Sequence, residues 1–176
     1  LRVVLAEMYI NGVSTRKVEK IFKEMCGLDI SSNDVSRATK MLDEELEKWR
    51  NRPLGKFKYL QLDARYEKTR RDGRVLSTAV LVAVGVSEDG YRSVLGVSVS
   101  ISEAEVHWRN FLISLKERGL HGVEYVVSDD HEGLKKALQT TFGSASWNRC
   151  HVHLQRNAFA YVPKVAMRKE VAGDIS

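Results

Sequence analysis

The chain has 176 residues, of which 43% are hydrophobic and 29% are charged, and its formal net charge is +5. No stretch approaches the roughly 20 consecutive apolar residues of a membrane helix, and Glu7 interrupts the N-terminal segment where a signal peptide would remain apolar. The two cysteines, Cys26 and Cys150, fall in different predicted segments, which argues against a disulfide framework. These features indicate a cytoplasmic globular protein with no membrane partner.

The first 52 residues are predicted to form three helices. LRVVLAEMYI ends at Asn11-Gly12, TRKVEKIFKEM has Ser14 or Thr15 as its cap and ends at Gly27, and SSNDVSRATKMLDEELEKWRNR has Ser31 or Ser32 as its cap. Apolar residues recur at helical spacing in the later two helices. They are Val18, Ile21, Phe22 and Met25 in the second helix, and Val35, Ala38, Met41 or Leu42, and Leu46 in the third.

A short connection between the second and third helices is typical of helix-turn-helix modules, in which the later helix enters the major groove of DNA. Many small helical bundles share this pattern, so it gives only weak support for DNA binding. The resulting hypothesis is a helix-turn-helix-like DNA-binding domain at residues 1–52. A linker at residues 53–58 follows, because Pro53 and Gly55 break the helical period.

The pattern then changes to strands and helices. The predicted order is three strands (FKYLQLDARYEKT, VLSTAVLVAVGV and YRSVLGVSVS), a helix (EAEVHWRNFLISLKERG), a strand (VEYVVSD), a helix (HEGLKKALQTTF), a strand (SWNRCHV) and a helix (HLQRNAFAYV). Turns at Asp72-Gly73 and Asp89-Gly90 join the first three strands into an antiparallel meander, and a capping box of Ser102 and Glu105 is expected to open the first helix. This layout predicts an α/β, ribonuclease H-like core, present as a partial catalytic domain at residues 59–176.

Two strands of this predicted core carry acids. In the ribonuclease H-like layout the first strand lies beside the fourth, so Asp63 would lie next to the aspartates that end VEYVVSDD. Two carboxylates on neighbouring strands can bind Mg²⁺ or Mn²⁺ and support phosphoryl transfer on a nucleic acid. Asp130 is placed to cap the next helix, which leaves Asp129 as the predicted ligand. The alternative for Asp63 is a solvent-facing residue on an edge strand.

Several segments resemble bacterial Mutator-type transposases, the insertion-sequence branch of the DDE recombinases. They are LDARYEKTR, GVSVSISEAEVHWRNFLISLKERGL, VVSDDHEGLKKAL, WNRCHVHLQRNAFAYVP and the helical MYINGVSTRKVEKIFKEMCGLDISSNDVSRATKML. The resemblance implies a ribonuclease H-like catalytic core, an upstream DNA-binding domain, and metal-dependent cleavage and transfer of DNA strands. By position, Asp63 matches the first catalytic aspartate, Asp129 the second, and Cys150 with His153 the C-x-x-H motif.

The resemblance also implies partners and a location. These are the transposon ends and the target DNA, a homo-oligomer in the DNA complex, and the bacterial nucleoid. The candidate DNA-binding residues are Arg16, Lys17, Lys20, Arg37, Lys40, Arg149, His153 and Arg156.

The third catalytic acid of the family, a glutamate, lies well beyond the C-x-x-H segment, and Glu170 and Asp174 come too early to match it. We therefore expect a truncated protein or fragment that does not cut DNA efficiently alone. One alternative is a regulatory derivative that binds DNA or a transposase without catalysis. Another is a nuclease that completes its metal site with Glu67 or Glu105.

Two further features have competing interpretations. Cys150 and His153 supply half of a zinc site, but no second pair with suitable spacing follows; the resemblance instead implies that His153 contacts the DNA backbone. Trp108 is predicted to lie in the core or at an interface. Trp147 could stack on a base, although a place in the core is the stronger prediction.

Overall fold

The computed structural model describes residues 4–5, 7–8, 11–71 and 73–175. The remaining positions of the predicted first helix, and Asp72 of the predicted turn, lie outside the described residues. The chain divides into two compact units, Leu1–Arg52 and Pro53–Ser176.

The N-terminal unit is helical where it is described. Residues 4, 5, 7 and 8 are helical, and α1 (Thr15–Cys26) and α2 (Ser32–Asn51) follow. Ser14 is the N-cap of α1 but makes no side-chain capping bond, and Gly27 ends α1 with a φ of 63°, as its position predicted. A small core joins the helices; its side chains are Leu5, Val18, Phe22, Ile30, Val35 and Ala38.

The predicted apolar stripes extend further than this core. Met25, near the end of α1, is 79% exposed, and Leu46 of α2 is also exposed, although both belong to the apolar stripes. The core side chains of α2 come from the first half of this helix, which has 20 residues. Helix α1 is shorter, with 12 residues. The short α1 therefore cannot cover the whole apolar stripe of α2.

The second unit begins with three strands and continues as alternating helices and strands, in the predicted order. The elements are β1 (Tyr59–Arg71), β2 (Arg74–Val86), β3 (Arg92–Ser100), α3 (Glu105–Glu117), β4 (Tyr125–Ser128), α4 (Glu132–Thr141), β5 (Ser146–Arg149), α5 (His151–Phe159), a 3-10 helix (Val165–Met167) and α6 (Arg168–Ile175).

The five strands form one sheet in the order β3-β2-β1-β4-β5. The first three strands pair antiparallel, and β1–β4 and β4–β5 pair in parallel. This is the ribonuclease H-like arrangement, and the prediction of the fold is confirmed. Both cysteines are free. Among the described residues, no helix combines the length and the apolar character needed to cross a membrane.

Helices α3 and α4 share one core with the inward side chains of the strands. Strand β2 alternates between buried and partly exposed positions over residues 78–86. The core includes Leu60 and Leu62 of β1, Ala79, Leu81 and Ala83 of β2, Val126 of β4, Trp108, Phe111, Leu112 and Leu115 of α3, and Leu134, Ala137 and Leu138 of α4.

The predicted capping box at the start of α3 is wrong. Ala104, not Ser102, is the N-cap of α3, and it makes no side-chain capping bond. The Ser102 hydroxyl accepts a hydrogen bond from the Ala104 backbone N–H at 3.4 Å, and the Ser102 carbonyl accepts one from the Ser100 hydroxyl at 2.7 Å. Ser102 therefore serves the turn that precedes the helix.

The capping box of α2 makes its stability depend on pH. Hydrogen bonds from the Ser31 hydroxyl and backbone N–H, and then from Arg37, hold the pKa of Asp34 below its usual value. A lowered folded-state pKa contributes stability above the ordinary value of 3.8, which is lost as the pH falls through the folded-state pKa. We expect Asp34→Ala to lower the melting temperature at neutral pH and to have much less effect in strong acid.

Thermal unfolding followed by far-UV circular dichroism at several pH values measures this difference. Asp43→Ala, at an exposed position on the same helix, is the matched control. A penalty for Asp34→Ala that stays constant down to strong acid would contradict the capping assignment.

Candidate functional site

Asp63 and Asp129 lie toward the same end of two neighbouring strands, because β1 pairs with β4 in parallel. The described ladder ends with Gln61 opposite Val127. Asp63 lies two residues beyond Gln61, and Asp129 lies two residues beyond Val127, directly after the last residue of β4. The pairing therefore places both aspartates toward the carboxyl end of β4.

Asp63 faces outward because its neighbours face inward. Leu60 and Leu62 are buried in the core, and the alternation of the strand leaves the Asp63 side chain 55% exposed. Its Oδ1 accepts a hydrogen bond from the Ala64 backbone N–H at 2.9 Å. The carboxylate is thus held in place while it stays open to a ligand.

The C-x-x-H motif brings a histidine to this carboxylate. Cys150 is the N-cap of α5, and its backbone N–H donates to the carbonyl of Ser128 at the end of β4. His153, one turn later and 25% exposed, has its Nε2 3.8 Å from Oδ1 of Asp63. Its buried Nδ1 has no hydrogen-bond partner within the described part of the chain. The motif therefore connects the start of α5 to β4 and its histidine to β1.

Asp130 does not cap the following helix, so that prediction is wrong. The N-cap of α4 is His131, without a side-chain capping bond. Asp130 instead accepts a hydrogen bond from Lys135 Nζ at 2.6 Å and lies 3.4 Å from Arg149 Nη1. The Lys135 hydrogen bond holds the pKa of Asp130 below its usual value, and Arg149 lowers it further. Because both oxygens face cations, Asp130 is less suited than Asp129 to bind a metal.

Glu103 is a third acid near the pair, and the sequence patterns did not single it out. It lies partly buried in the loop between β3 and α3. Burial raises the pKa of Glu103, and the charges of Asp129 and Asp63 raise it further. His131 and a hydrogen bond with Tyr66 act in the opposite direction. Glu103 therefore shares its electrostatic surroundings with both aspartates. Its place in the loop that follows the meander is the sequence signal that could have found it.

The two glutamates predicted as alternative ligands are engaged elsewhere. Glu67 is ion-paired with Arg65, and Glu105 lies 3.2 Å from Arg109 on α3. Glu67 also lies four residues beyond Asp63 along β1, which corresponds to roughly 13 Å. Both glutamates therefore have cationic partners of their own.

The carboxylate oxygens of Asp63 and Asp129 suit a hydrated cation. In the part of the chain that the structure describes, no three His, Cys, Asp or Glu side chains are gathered so that they could hold a metal ion. A four-ligand zinc site that includes Cys150 and His153 is therefore not formed by the described residues. Mg²⁺ commonly binds one or two protein carboxylates and keeps several waters. The carboxylates of Asp63 and Asp129 fit that kind of binding.

The predicted DNA-binding residues fall in both compact units. Lys20 is 3.7 Å from Glu24, and Arg37 is 2.5 Å from Asp34, so both pair within their own helices. Arg149 is partly buried beside Asp130. The exposed members are Arg16, Lys17 and Lys20 on α1, Arg37 and Lys40 on α2, and Arg156 on α5.

The tryptophans of this unit differ in burial. Trp108 is fully buried in the core, as predicted. Trp147, on the edge strand β5, is 37% exposed, so its predicted place in the core is wrong. Its Nε1 donates to the Ser128 hydroxyl at 2.9 Å, and Lys135 Nζ lies 5.6 Å from the ring centre. Trp147 therefore packs beside the end of β4 and Lys135.

The loop of Glu103 packs so closely on α4 that a glycine is required there. A Cβ at Gly133 would lie 2.7 Å from the Glu103 carbonyl oxygen and 2.9 Å from the Glu105 nitrogen. We expect Gly133→Ala to lower the free energy of unfolding by about 1–3 kcal/mol, because backbone atoms must move.

Gly173 of α6 is the matched control, since a Cβ there would have no atom within 4 Å. Gly173→Ala should raise the free energy of unfolding by about 0.5–1 kcal/mol through helix propensity. Urea denaturation of both variants measures the difference. Equal free energies of unfolding for the two variants would mean that the loop accommodates a methyl group at position 133 without strain.

Two solved structures resemble part of the fold. One is the simian T-cell lymphotropic virus intasome in complex with the PP2A regulatory subunit B56 gamma (TM-score 0.38, 13% identity, 56% of this chain and 34% of that chain). The other is the HTLV-2 integrase catalytic core domain in complex with magnesium (TM-score 0.34, 13% identity, 70% of this chain and 85% of that chain). TM-scores at this level do not support a shared function.

The chain is similar in sequence to transposases of insertion sequences, among them those of IS406, ISRM5 and IS256. That of IS406 from Burkholderia multivorans is 50% identical over 99% of this chain and 46% of its own length. That of ISRM5 from Rhizobium meliloti is 50% identical over 91% of this chain and 40% of its own length. That of IS256 in transposon Tn4001 from Staphylococcus aureus is 44% identical over 91% of this chain and 42% of its own length. The chain thus spans less than half the length of each relative.

The family model for the Mutator family of transposases matches residues 1–174. The match includes both compact units, Asp63, Asp129 and the C-x-x-H motif. The chain therefore belongs to the Mutator family of transposases.

Proposed function

We propose that this chain forms part of a DDE-type transposase, which cleaves DNA and transfers the cut strands during movement of an insertion sequence. One observation carries the proposal: in a chain of the Mutator family, β1 pairs in parallel with β4, and a continuation of that pairing by two residues would set Asp63 beside Asp129. The DNA would be the transposon ends and the target. The relatives are named as transposases of insertion sequences, which supports this choice of substrate.

Asp63 and Asp129 are the proposed ligands of Mg²⁺ or Mn²⁺. Carboxylate oxygens are the ligands that these ions prefer. When bound, the ion would activate a water or a 3′-hydroxyl and neutralise charge on the attacked phosphate. Asp129 is free for this role because Lys135 and Arg149 engage its neighbour Asp130.

His153 is proposed to act on the same face. Its Nε2 contacts Asp63, and its buried Nδ1 has no described hydrogen-bond partner. We assign it to positioning of Asp63 and to contact with the DNA backbone near the cut. Arg149 and Arg156 flank it in the sequence and supply positive charge for the phosphates.

The N-terminal unit is the proposed DNA-binding domain, residues 1–52, joined by residues 53–58 to the catalytic domain at residues 59–176. A capped 20-residue helix, α2, follows α1 after a short connection, as in a helix-turn-helix. The exposed cations on α1 and α2 are suited to phosphate contacts. We further propose that the protein acts as a homo-oligomer on DNA, in the cytoplasm of a bacterium at its nucleoid.

The catalytic assignment predicts a metal requirement that depends on two aspartates. Nicking of supercoiled plasmid by the chain alone should be slow, because no third catalytic acid is assigned in it, and it should require Mn²⁺. Asp63→Asn and Asp129→Asn should each slow it by about 100-fold or more, because a bound metal supplies several kcal/mol of transition-state stabilisation. Asp130→Asn, at a carboxylate that Lys135 and Arg149 engage, should keep most of the wild-type rate.

Gel analysis of the nicked circle over time gives these rates. Undiminished nicking by Asp63→Asn would contradict the assignment of the site. A wild-type chain that binds DNA but never nicks it would remove the catalytic part of the proposal for this chain.

The DNA-binding assignment predicts a change in salt dependence. If Arg16, Lys17 and Lys20 each contact a phosphate, replacing all three with alanine should flatten the slope of log K against log salt by about 2.7, since each contact contributes about 0.9. The control replaces Lys164, Arg168 and Lys169 of the other unit with alanine, which removes the same charge from exposed positions. Fluorescence anisotropy with a labelled duplex measures both slopes. Identical slopes in the two triple variants would contradict a specific role for α1.

A further inference from the structure

An open cavity of about 470 Å³ is lined by the end of β5, by α5 and by the turn that follows α5. Small-molecule sites commonly measure about 300–1,000 Å³ and combine an apolar surface with a few polar groups. This cavity has that composition, with three apolar residues and one each of arginine, asparagine and tyrosine. The lining residues are Arg149, Leu154, Asn157, Ala158, Ala160 and Tyr161.

The cavity adjoins the candidate site through two of its lining residues. Leu154 directly follows His153, whose Nε2 lies 3.8 Å from Oδ1 of Asp63. Arg149 has its Nη1 3.4 Å from Oδ2 of Asp130, just after the end of β4. A ligand in the cavity would therefore lie beside the segments that carry the proposed catalytic aspartates.

Arg149 has hydrogen-bonding capacity left for such a ligand. Its side chain is 31% exposed, and its buried Nε has no hydrogen-bond partner within the described residues. The Asp130 carboxylate that it faces already accepts a hydrogen bond from Lys135 at 2.6 Å. A guanidinium group has five N–H donors and matches the geometry of a phosphate. Arg149 can therefore bind a phosphate at the edge of the cavity.

Two exposed side chains supply what a nucleobase would need. Tyr161 is 88% exposed, and Asn157 is exposed on α5. An aromatic ring can stack on any base, and a side-chain amide can both donate to and accept from the edge of a base. A single exposed tyrosine is ordinary on a protein surface. Its position at one cavity with an amide and an arginine points to a nucleotide.

Resting on the DNA function proposed above, we propose that this cavity binds one unstacked nucleotide of the DNA next to the candidate site. The base stacks on Tyr161 and hydrogen-bonds to Asn157, and Arg149 binds the phosphate. A base within a duplex must leave the stack to reach such a pocket, and this costs least where the base is already unpaired. The chain should therefore prefer DNA with an unpaired base at this position.

The test compares three fluorescently labelled duplexes that differ at one position. The first is fully paired, the second has a single unpaired base as a bulge, and the third has an abasic nucleotide in the same bulge. Anisotropy with the full chain, in the absence of metal, gives the three Kd values. We expect the wild type to bind the base bulge about 5-fold or more tightly than the abasic bulge, because only the former offers a base for stacking.

Four variants assign the preference to the cavity. Tyr161→Ala should bind the base bulge and the abasic bulge equally, whereas Tyr161→Phe keeps the ring and should keep the preference. Asn157→Ala should reduce it. Tyr91→Ala is the matched control, since Tyr91 is 77% exposed between β2 and β3 and should leave the preference as in the wild type. A Tyr161→Ala chain that prefers the base bulge as the wild type does would overturn the proposal.

The same measurements separate this proposal from the function on which it rests. Saturable binding of all three duplexes with equal Kd values by the wild type would overturn the nucleotide pocket and leave DNA binding standing. If none of the duplexes binds, DNA binding by this chain and the pocket both fail. Equal Kd values together with a changed sedimentation coefficient for Tyr161→Ala would assign the cavity to contact between protein chains, which also overturns the proposal.

Discussion

Three residue pairs between β1 and β4 bring the candidate site together. They join segments far apart in the chain and place Asp63 and Asp129 toward the same end of the two strands. A shift of one residue in this register would exchange the buried and exposed faces of one strand. The buried side chains of Leu60, Leu62 and Val126 oppose such a shift, since each contributes about 1.5–3 kcal/mol when fully buried. The position of the acids thus depends on the apolar residues between them.

The same short strand organises the elements around it. Ser128, the last residue of β4, accepts the N–H of Cys150 at the start of α5 and the Nε1 of Trp147 from β5. Through the first contact, the C-x-x-H motif delivers His153 to Asp63. Cys150 acts here through its backbone N–H, which joins the start of α5 to the end of β4.

The two aspartates that follow β4 have different electrostatic surroundings. Asp130 forms ion pairs with Lys135 and Arg149, whereas Asp129 shares its surroundings with Glu103 and Asp63. The two adjacent residues therefore have different roles. Asp130 connects the start of α4 to β5, and Asp129 adds negative charge at the carboxyl end of β4.

The sequence by itself determined the order of the elements, because helical and strand periodicity are local properties of the chain. It also determined that β1 lies beside β4, since few small α/β folds begin with an antiparallel meander and continue with alternating helices and strands. Only the tertiary structure decided the partners of individual polar groups. Asp130 was predicted as a cap but binds Lys135 and Arg149, Ser102 serves a turn, and Glu103 joins the aspartates from a loop. These outcomes depend on side chains that meet across elements, and sequence spacing carries no record of which ones come within hydrogen-bonding distance.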